Sequence, residues 1–341
     1  MKKIIALVAA LCMVFALCAC GNSSAPAATS APAEAPAAEA PAAEAPAAGG
    51  PSESLTFVTG GETGTYYAFG SVIAQYVSAN TNLSVTAVSG NGSKANVEDM
   101  DAGAYQLGFC QSDVMSYAHD GTNIFAETGA VDSFSAVAAL YMEQVQIVTM
   151  NPDIKTVEDL RGKSVSIGAL GSGVYFNAVD VLGCYDMTID DIAPVYQSFG
   201  DSADSLKDGK IDAAFIVAGA PTTAITDLST SGQVYLVSID DEHIDKLLEV
   251  SPYYSKYTVS AATYGMPEDA QTVAVAAMVI ARNDVSEDAI YTFVSTIFEN
   301  ADQLQHGKAE ELDLAFASSI TSVPYHPGAA RYFAEKGFDV G

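Results

Sequence analysis

From Leu55 onward short apolar runs alternate with amphipathic stretches, the order expected of strands that feed helices. "LTFVT" predicts a strand near Thr56–Thr59 and "GGETG" a glycine turn. Behind it Phe69, Val72, Ile73, Tyr76 and Val77 recur at helical spacing, with Thr65 placed to cap the helix. A second helix is expected from Ser93 to Gly103, followed by the strand "YQLGFC", the polar turn Gln111, Ser112, Asp113 and a short helix. "FSAVAALYM" and "VQIVTM" read as two strands, closed by Asn151 and Pro152.

The pattern then restarts. Thr156 and Asp159 stand at capping-box spacing, "KSVSIG" is a strand, "ALGSG" a glycine loop and "VYFNAVDVLGCY" a helix with Val174, Ala178, Val181 and Leu182 on its apolar face. "SADSLKDGKIDAAFIVAGAPT" predicts a helix, a strand and a loop of small residues. Residues 240–264, rich in Tyr, Ser and Thr, follow no clear period. "TVAVAAMVIARNDV" reads as a buried strand, and "SEDAIYTFVSTIFENADQL" as a long helix with Ile290, Phe293, Val294, Ile297 and Phe298 inward.

The two halves echo each other. Thr63–Tyr66 corresponds to Ser172–Tyr175, and "MDAGAYQLGF" from Met100 to "LKDGKIDAAF" from Leu206. Repeated strand, glycine loop and helix units imply an α/β protein of two lobes with parallel-dominated sheets, whose loops meet around one cleft. The expected lobes are 55–144 with 275–341, and 145–274. Lobe closure would pivot on crossing segments near Tyr141–Val148 and Ala270–Ala276.

The N-terminal region changes the picture. Lys2 and Lys3 precede an uncharged run from Ile4 to Leu17, shorter than the roughly 20 residues of a spanning helix. "LCAC" resembles a bacterial lipobox, so residues 1–20 are expected to be an export signal with Cys20 as the lipidated first residue of the mature chain. Residues 21–54 repeat Ala, Pro and Glu, with Glu34, Glu39 and Glu44 repelling one another; they form a tether rather than a fold. The expectation is an exported protein, anchored to the bilayer through acylated Cys20 on the outer face of the cytoplasmic membrane.

The chain carries 14 basic and 42 acidic side chains, a net charge of −28 that excludes nucleic acid as a partner. Only Cys110 and Cys184 remain in the folded part, each among apolar residues, and two buried free thiols are expected.

The candidate chemistry lies in the loops. Glycine at a strand-to-helix turn lets backbone N–H groups converge, and the helix start adds partial positive charge, so carboxylates and phosphates bind there. "GGETGTYY" and "GALGSGVY" each supply such a nest: Thr63, Gly64, Thr65 and Tyr66 on one side, Gly171, Ser172 and Gly173 on the other. Gln111 and Ser112 follow one strand as amide and hydroxyl contacts, and Gly219, Ala220, Pro221 and Thr222 follow the matching strand as a wall. Asn91 and Ser93 either contact ligand or cap a helix; Asp113 and Thr222 either face the cleft or cap the helices after them. Neither loop fits "GxxxxGK[ST]" or "GxGxxG", and no cofactor is expected. His119, His243, His306 and His326 lack ligand spacing, so no metal is expected and surface or loop positions are. Ser172 lacks a "GxSxG" elbow, which disfavours a serine hydrolase and leaves a binding protein rather than an enzyme.

"TGGETGTYYAFG", "QLGFCQSDV", "AALYMEQVQIV", "DLRGKSVSIGALGSG", "LKDGKIDAAFIVAGAPT", "SPYYSKYTV" and "HPGAARYFAEKG" together resemble the TAXI family of TRAP-transporter solute receptors, over residues 55–339. The resemblance implies a periplasmic-binding-protein fold of type II that passes a small carboxylate of the glutamate, glutamine or 2-oxoacid kind to an ion-driven membrane permease. It also implies that both glycine loops and Gln111 contact that carboxylate. Glu62, Leu170 and Val174 depart from the family pattern at the ligand's border. Glu62 is either a partner for an amino acid's ammonium or a solvated loop charge. Receptors for ABC importers or sensor kinases share the fold and remain the alternative.

Overall fold

The structure is a computed structural model and describes residues 53–341; the export signal, Cys20 and nearly all of the tether lie outside the described residues. The first units are β1 (Glu53–Val58), α1 (Thr65–Asn80), β2 (Leu83–Val88), α2 (Ser93–Asp101), β3 (Leu107–Gln111) and α3 (Ser112–Asp120). A long strand, β4 (Phe134–Thr149), then leads into β5 (Ser164–Ser166), α4 (Val174–Cys184), β6 (Ala193–Val195), α5 (Phe199–Lys207), β7 (Ala213–Ala218) and α6 (Thr223–Ser231). After these come β8 (Tyr235–Leu236), α7 (Asp241–Val250), β9 (Ser255–Val259), β10 (Ala270–Arg282), α8 (Glu287–Glu299), α9 (Leu314–Ala317) and α10 (Pro327–Glu335).

The strands lie in the order β2-β1-β3-β10-β4-β7-β5-β6, with β8 against β4 and β9 against β10. β1, β2 and β3 are parallel, as are β5, β6 and β7. Between these sets run β4 and β10, antiparallel to each other and to their neighbours. The two-lobed α/β architecture is therefore the expected one, with parallel units in each lobe as expected and an antiparallel centre that the expectation of parallel-dominated sheets did not include. The antiparallel pair arises because β4 and β10 each pass from one lobe to the other. The two strands expected over 134–150 are one strand, since Glu143 and Gln144 stay in the ladder.

Packing divides at the same strands. Leu55, Phe57, Phe69, Phe109, Phe293 and Phe333 belong to one core, which draws on both ends of the described chain. In the other lobe successive residues of β7 point to opposite faces, so Phe215 joins Ile147, Val165 and Leu182, while Ile216 joins Leu206 and Ile225. Helices cover both faces, which explains why these strands are continuous apolar runs rather than alternating ones.

α8 buries Ile290, Phe293, Val294 and Ile297, while Phe298 is half-buried against Tyr332 and Phe333. α10 approaches so closely that a Cβ on Gly328 would lie 2.1 Å from the Glu287 carbonyl oxygen and 2.8 Å from Tyr291 N. Gly328→Ala is expected to cost about 3 kcal/mol in urea unfolding, because both contacts are backbone and cannot rotate away; an unchanged midpoint would show that the helices separate freely.

Three local expectations are corrected. Gly64, not Thr65, occupies the cap of α1, because the Thr65 hydroxyl donates to the Gly219 carbonyl in the other lobe (2.8 Å). His326 is buried rather than superficial, its ring accepting from Gly328 N at the start of α10. Cys110 is buried and Cys184 only half-buried, and both are free.

Candidate functional site

β1, β2 and β3 end at the seam where β5 and β7 of the other lobe also end. A cavity of about 120 Å³ lies there, comparable with the roughly 150 Å³ that holds a benzene ring. Its walls are Gly60–Gly61, Gly64–Tyr66, Gly90–Ser93 and Gln111 from one lobe, and Ala169, Ser172–Val174, Ser198–Phe199 and Val217–Ala218 from the other. Glu143 of the crossing strand β4 forms part of the floor.

Four helices begin at this cavity: α1 at Gly64, α2 at Gly92, α4 at Gly173 and α5 at Ser198. Glycine at three of the caps leaves no side chain between the first-turn N–H groups and the space in front of them, and α1, α2 and α4 carry no acidic residue in that turn. Such starts favour an anion even in a strongly acidic protein, because salt screens distant charge beyond about 8 Å. No lysine, arginine or histidine lines the cavity among the described residues.

Glu143 is the unusual feature. It is 2 % exposed, and its Oε1 makes no hydrogen bond among the described residues. Burial drives its pKa well above the carboxylate range, while the Tyr66 hydroxyl and, more weakly, Lys308 pull the other way. Lys308 itself is committed to Glu311 (2.5 Å) and lies over the Tyr141 ring. The Tyr66 hydroxyl and Ser172 Oγ are also buried without a partner of good geometry. An unpaired buried polar atom costs about 1–3 kcal/mol, so three around one void describe a surface waiting for ligand donors and acceptors.

The sequence-derived candidates divide into three groups. Gly64, Thr65, Tyr66, Asn91, Gln111, Ser172 and Gly173 line the cavity. Thr63, Gly171, Ser112, Gly219, Ala220 and Thr222 hold the lobes and loops around it, while Pro221 and Glu62 do neither. The Thr63 carbonyl accepts from Ala224 N (3.1 Å), and that of Gly171 from Ala95 N (2.9 Å), both across the seam. Ser112 Oγ accepts from Ala276 N of β10 (3.2 Å). The Gly219 carbonyl accepts from Thr65 and Thr222, and Ala220 N donates to Gln144 Oε1 (2.7 Å). Thr222 N donates to Tyr264 OH (2.8 Å), while Pro221 is exposed. Glu62 is exposed and outside the lining. Thr222 occupies the cap of α6 without a side-chain capping bond, while Asp113, in the first turn of α3, accepts from Val114 N (2.8 Å) and from Asn177 of the other lobe (3.0 Å).

Glu143, Ser198, Phe199, Val217 and Ala218 were missed by sequence reasoning. Glu143 did leave a signal, as the one charged residue in a sixteen-residue strand, since an ionisable group in such a run is costly unless it has a task.

A protein of Bordetella bronchiseptica RB50 is similar in fold, with TM-score 0.51 and 16% identity over 83% of this chain and 80% of that one. The alkanesulfonate-binding protein SsuA from Xanthomonas axonopodis pv. citri, bound to MOPS, gives TM-score 0.48 and 16% identity over 84% and 85%. The periplasmic aliphatic sulphonate binding protein SsuA from Escherichia coli gives 0.43 and 15% over 83% of each. A profile built on sequence alone spans the same two lobes, matching residues 57–337. On that match, the chain belongs to the NMT1-like family.

Proposed function

We propose that this protein is the extracytoplasmic receptor of a membrane transporter, closing two lobes over a small solute that bears a carboxylate, an α-amino acid first among them. The observation that carries the reading is one cavity in which helix starts meet an unpaired, buried carboxyl. A zwitterion matches both: its carboxylate suits the N–H groups of Gly64–Thr65 and Gly173–Val174, and its ammonium suits Glu143. The permease partner is of the TRAP type, a reading supported by the motifs spread over residues 55–339. The mature chain is held at the membrane by acylated Cys20.

A binding role rather than hydrolysis is supported by Ser172, whose hydroxyl hydrogen-bonds to no base among the described residues. His306 is stacked on Phe69, and His326 is engaged at α10. Native mass spectrometry of full-length protein purified in mild detergent tests the whole reading at once. The expected spectrum carries a diacylglyceryl adduct on Cys20 and a co-purified amino acid of low mass. A sulfonate or phosphonate in its place would redirect the ligand class, and an unmodified Cys20 would remove the anchor. Uptake into vesicles holding receptor and permease should follow a sodium or proton gradient; dependence on ATP would replace TRAP with an ABC importer.

A further inference from the structure

Beside the cavity, five side chains from the two lobes form one hydrogen-bonded chain. Gln111 Nε2 donates to Asn177 Oδ1 (2.8 Å). Asn177 Nδ2 donates to Asp113 Oδ2 (3.0 Å) and to the Tyr254 hydroxyl oxygen (2.8 Å), and Tyr254 OH donates to Asp180 Oδ2 (2.9 Å). Gln111 and Asp113 stand at the end of β3 and the start of α3. Asn177 and Asp180 are on α4, and Tyr254 follows α7.

The chain has a direction. Asn177 spends its amide hydrogens on Asp113 and Tyr254, which leaves only its carbonyl for Gln111. Gln111 must therefore turn its NH₂ toward Asn177 and keep Oε1 at the cavity wall, against Gly173 and within 3.4 Å of Ser93 Oγ.

Asp113 is fully buried, with neutral donors alone, Asn177 and Val114 N, on its oxygens. The titratable groups that act on it or that it acts on are Cys110 of β3, Tyr117 of its own helix, Glu143 of β4, Asp180 of α4 and Tyr254. All are acids, and among the described residues no lysine, arginine or histidine hydrogen-bonds to any of the five members of the chain. A carboxylate closed into this seam has no countercharge. Burial charges cost several kcal/mol unless paired or neutralised.

We infer that Asp113 and Asn177 are positioning residues for the ligand-facing Gln111, and that the seam they build is a latch which takes up a proton as the lobes close. The inference rests on the lobe-closure reading above. Its sign follows from linkage. Burial raises the Asp113 carboxyl to about 7 in the closed form, whereas a hydrated aspartate titrates near 3.9. Between those values the closed form holds the extra proton, so closure is favoured there. The advantage fades as pH rises through about 7.

Glu143 and Asp180 are further carboxyls that burial pushes up, and each would add its own proton. The experiment is therefore made on full-length Glu143→Gln, Asp180→Asn protein in detergent, with Cys184→Ser and nitroxide labels at Gln75 and Asp208. Dipolar spectroscopy without added solute reads the distance between the lobes from pH 5 to pH 8. The expected result is a shorter distance in acid with a midpoint near 7, and loss of that transition on adding Asp113→Asn. Asp113→Ser, which removes the carboxyl and leaves Asn177 a hydroxyl to bond, serves the same purpose should the asparagine variant not fold. A transition that survives either change overturns the latch, as does a distance that ignores pH. In the latter case, shortening at pH 8 in the Glu143-containing parent on adding mixed L-amino acids would leave the receptor reading standing. A distance that nothing moves would remove both.

Discussion

Replacing Gly173 with alanine is expected to weaken solute binding by about 100-fold, roughly 3 kcal/mol, while leaving the melting temperature of the unliganded protein within a degree or two. A Cβ at that position would lie 1.4 Å from Gln111 Oε1 and 2.6 Å from its Cδ. Gln111 would have to leave, stranding the Asn177 carbonyl in a buried seam, and an orphaned buried acceptor alone costs about 1–3 kcal/mol. The backbone of Gly173, with φ −70° and ψ −21°, suits alanine, so the open form loses nothing. Gly183→Ala in the same helix has no atom within 4 Å of the added carbon and is the control. Calorimetry with the co-purified solute reads the effect; an affinity within about threefold of the parent would mean that the lobes do not close along this seam.

Glu143→Gln is expected to separate ligands by a single functional group. An α-amino acid should lose about 100-fold, because removing one member of a buried ion pair costs roughly 3 kcal/mol. The 2-oxoacid of the same carbon skeleton should change by less than about threefold. Tyr66→Phe should weaken both ligands, since its hydroxyl is an unpaired group of the same cavity and carries no charge to discriminate. Equal losses for the two ligands in Glu143→Gln would show that Glu143 supports the floor without touching an ammonium, and the zwitterion reading would fall.

Acid on the outside of the membrane and solute capture are joined if the seam behaves as inferred. The two acidic groups then divide the work. Glu143 faces the solute and sets what is chosen, whereas Asp113 faces the partner lobe and sets when the seam closes. They lie on different elements but act on each other electrostatically, which is why Asp113 is read in a background without the Glu143 carboxyl.

Local patterns were sufficient for much of this protein. Apolar spacing over 55–80 and 286–304 specified helices that pack as expected, because a 3.6-residue period needs only near neighbours to express it. The glycine loops at Gly64 and Gly173 were legible for a similar reason: a strand, a tight turn and a helix start are consecutive in the chain. The repeat of that unit also pointed to two lobes. What no local pattern could decide was which polar residues would face one another after folding. Gln111 meets Asn177 across 66 positions, and Thr65 meets Gly219 across 154. Glu143 became the cavity floor, and Glu62 stayed outside, only because β4 runs unbroken between the lobes while the first glycine loop turns its tip to solvent. Helix and strand follow from short-range sterics and hydrophobic spacing, whereas a binding site is a set of distances between remote residues, and those distances exist only once both lobes have packed.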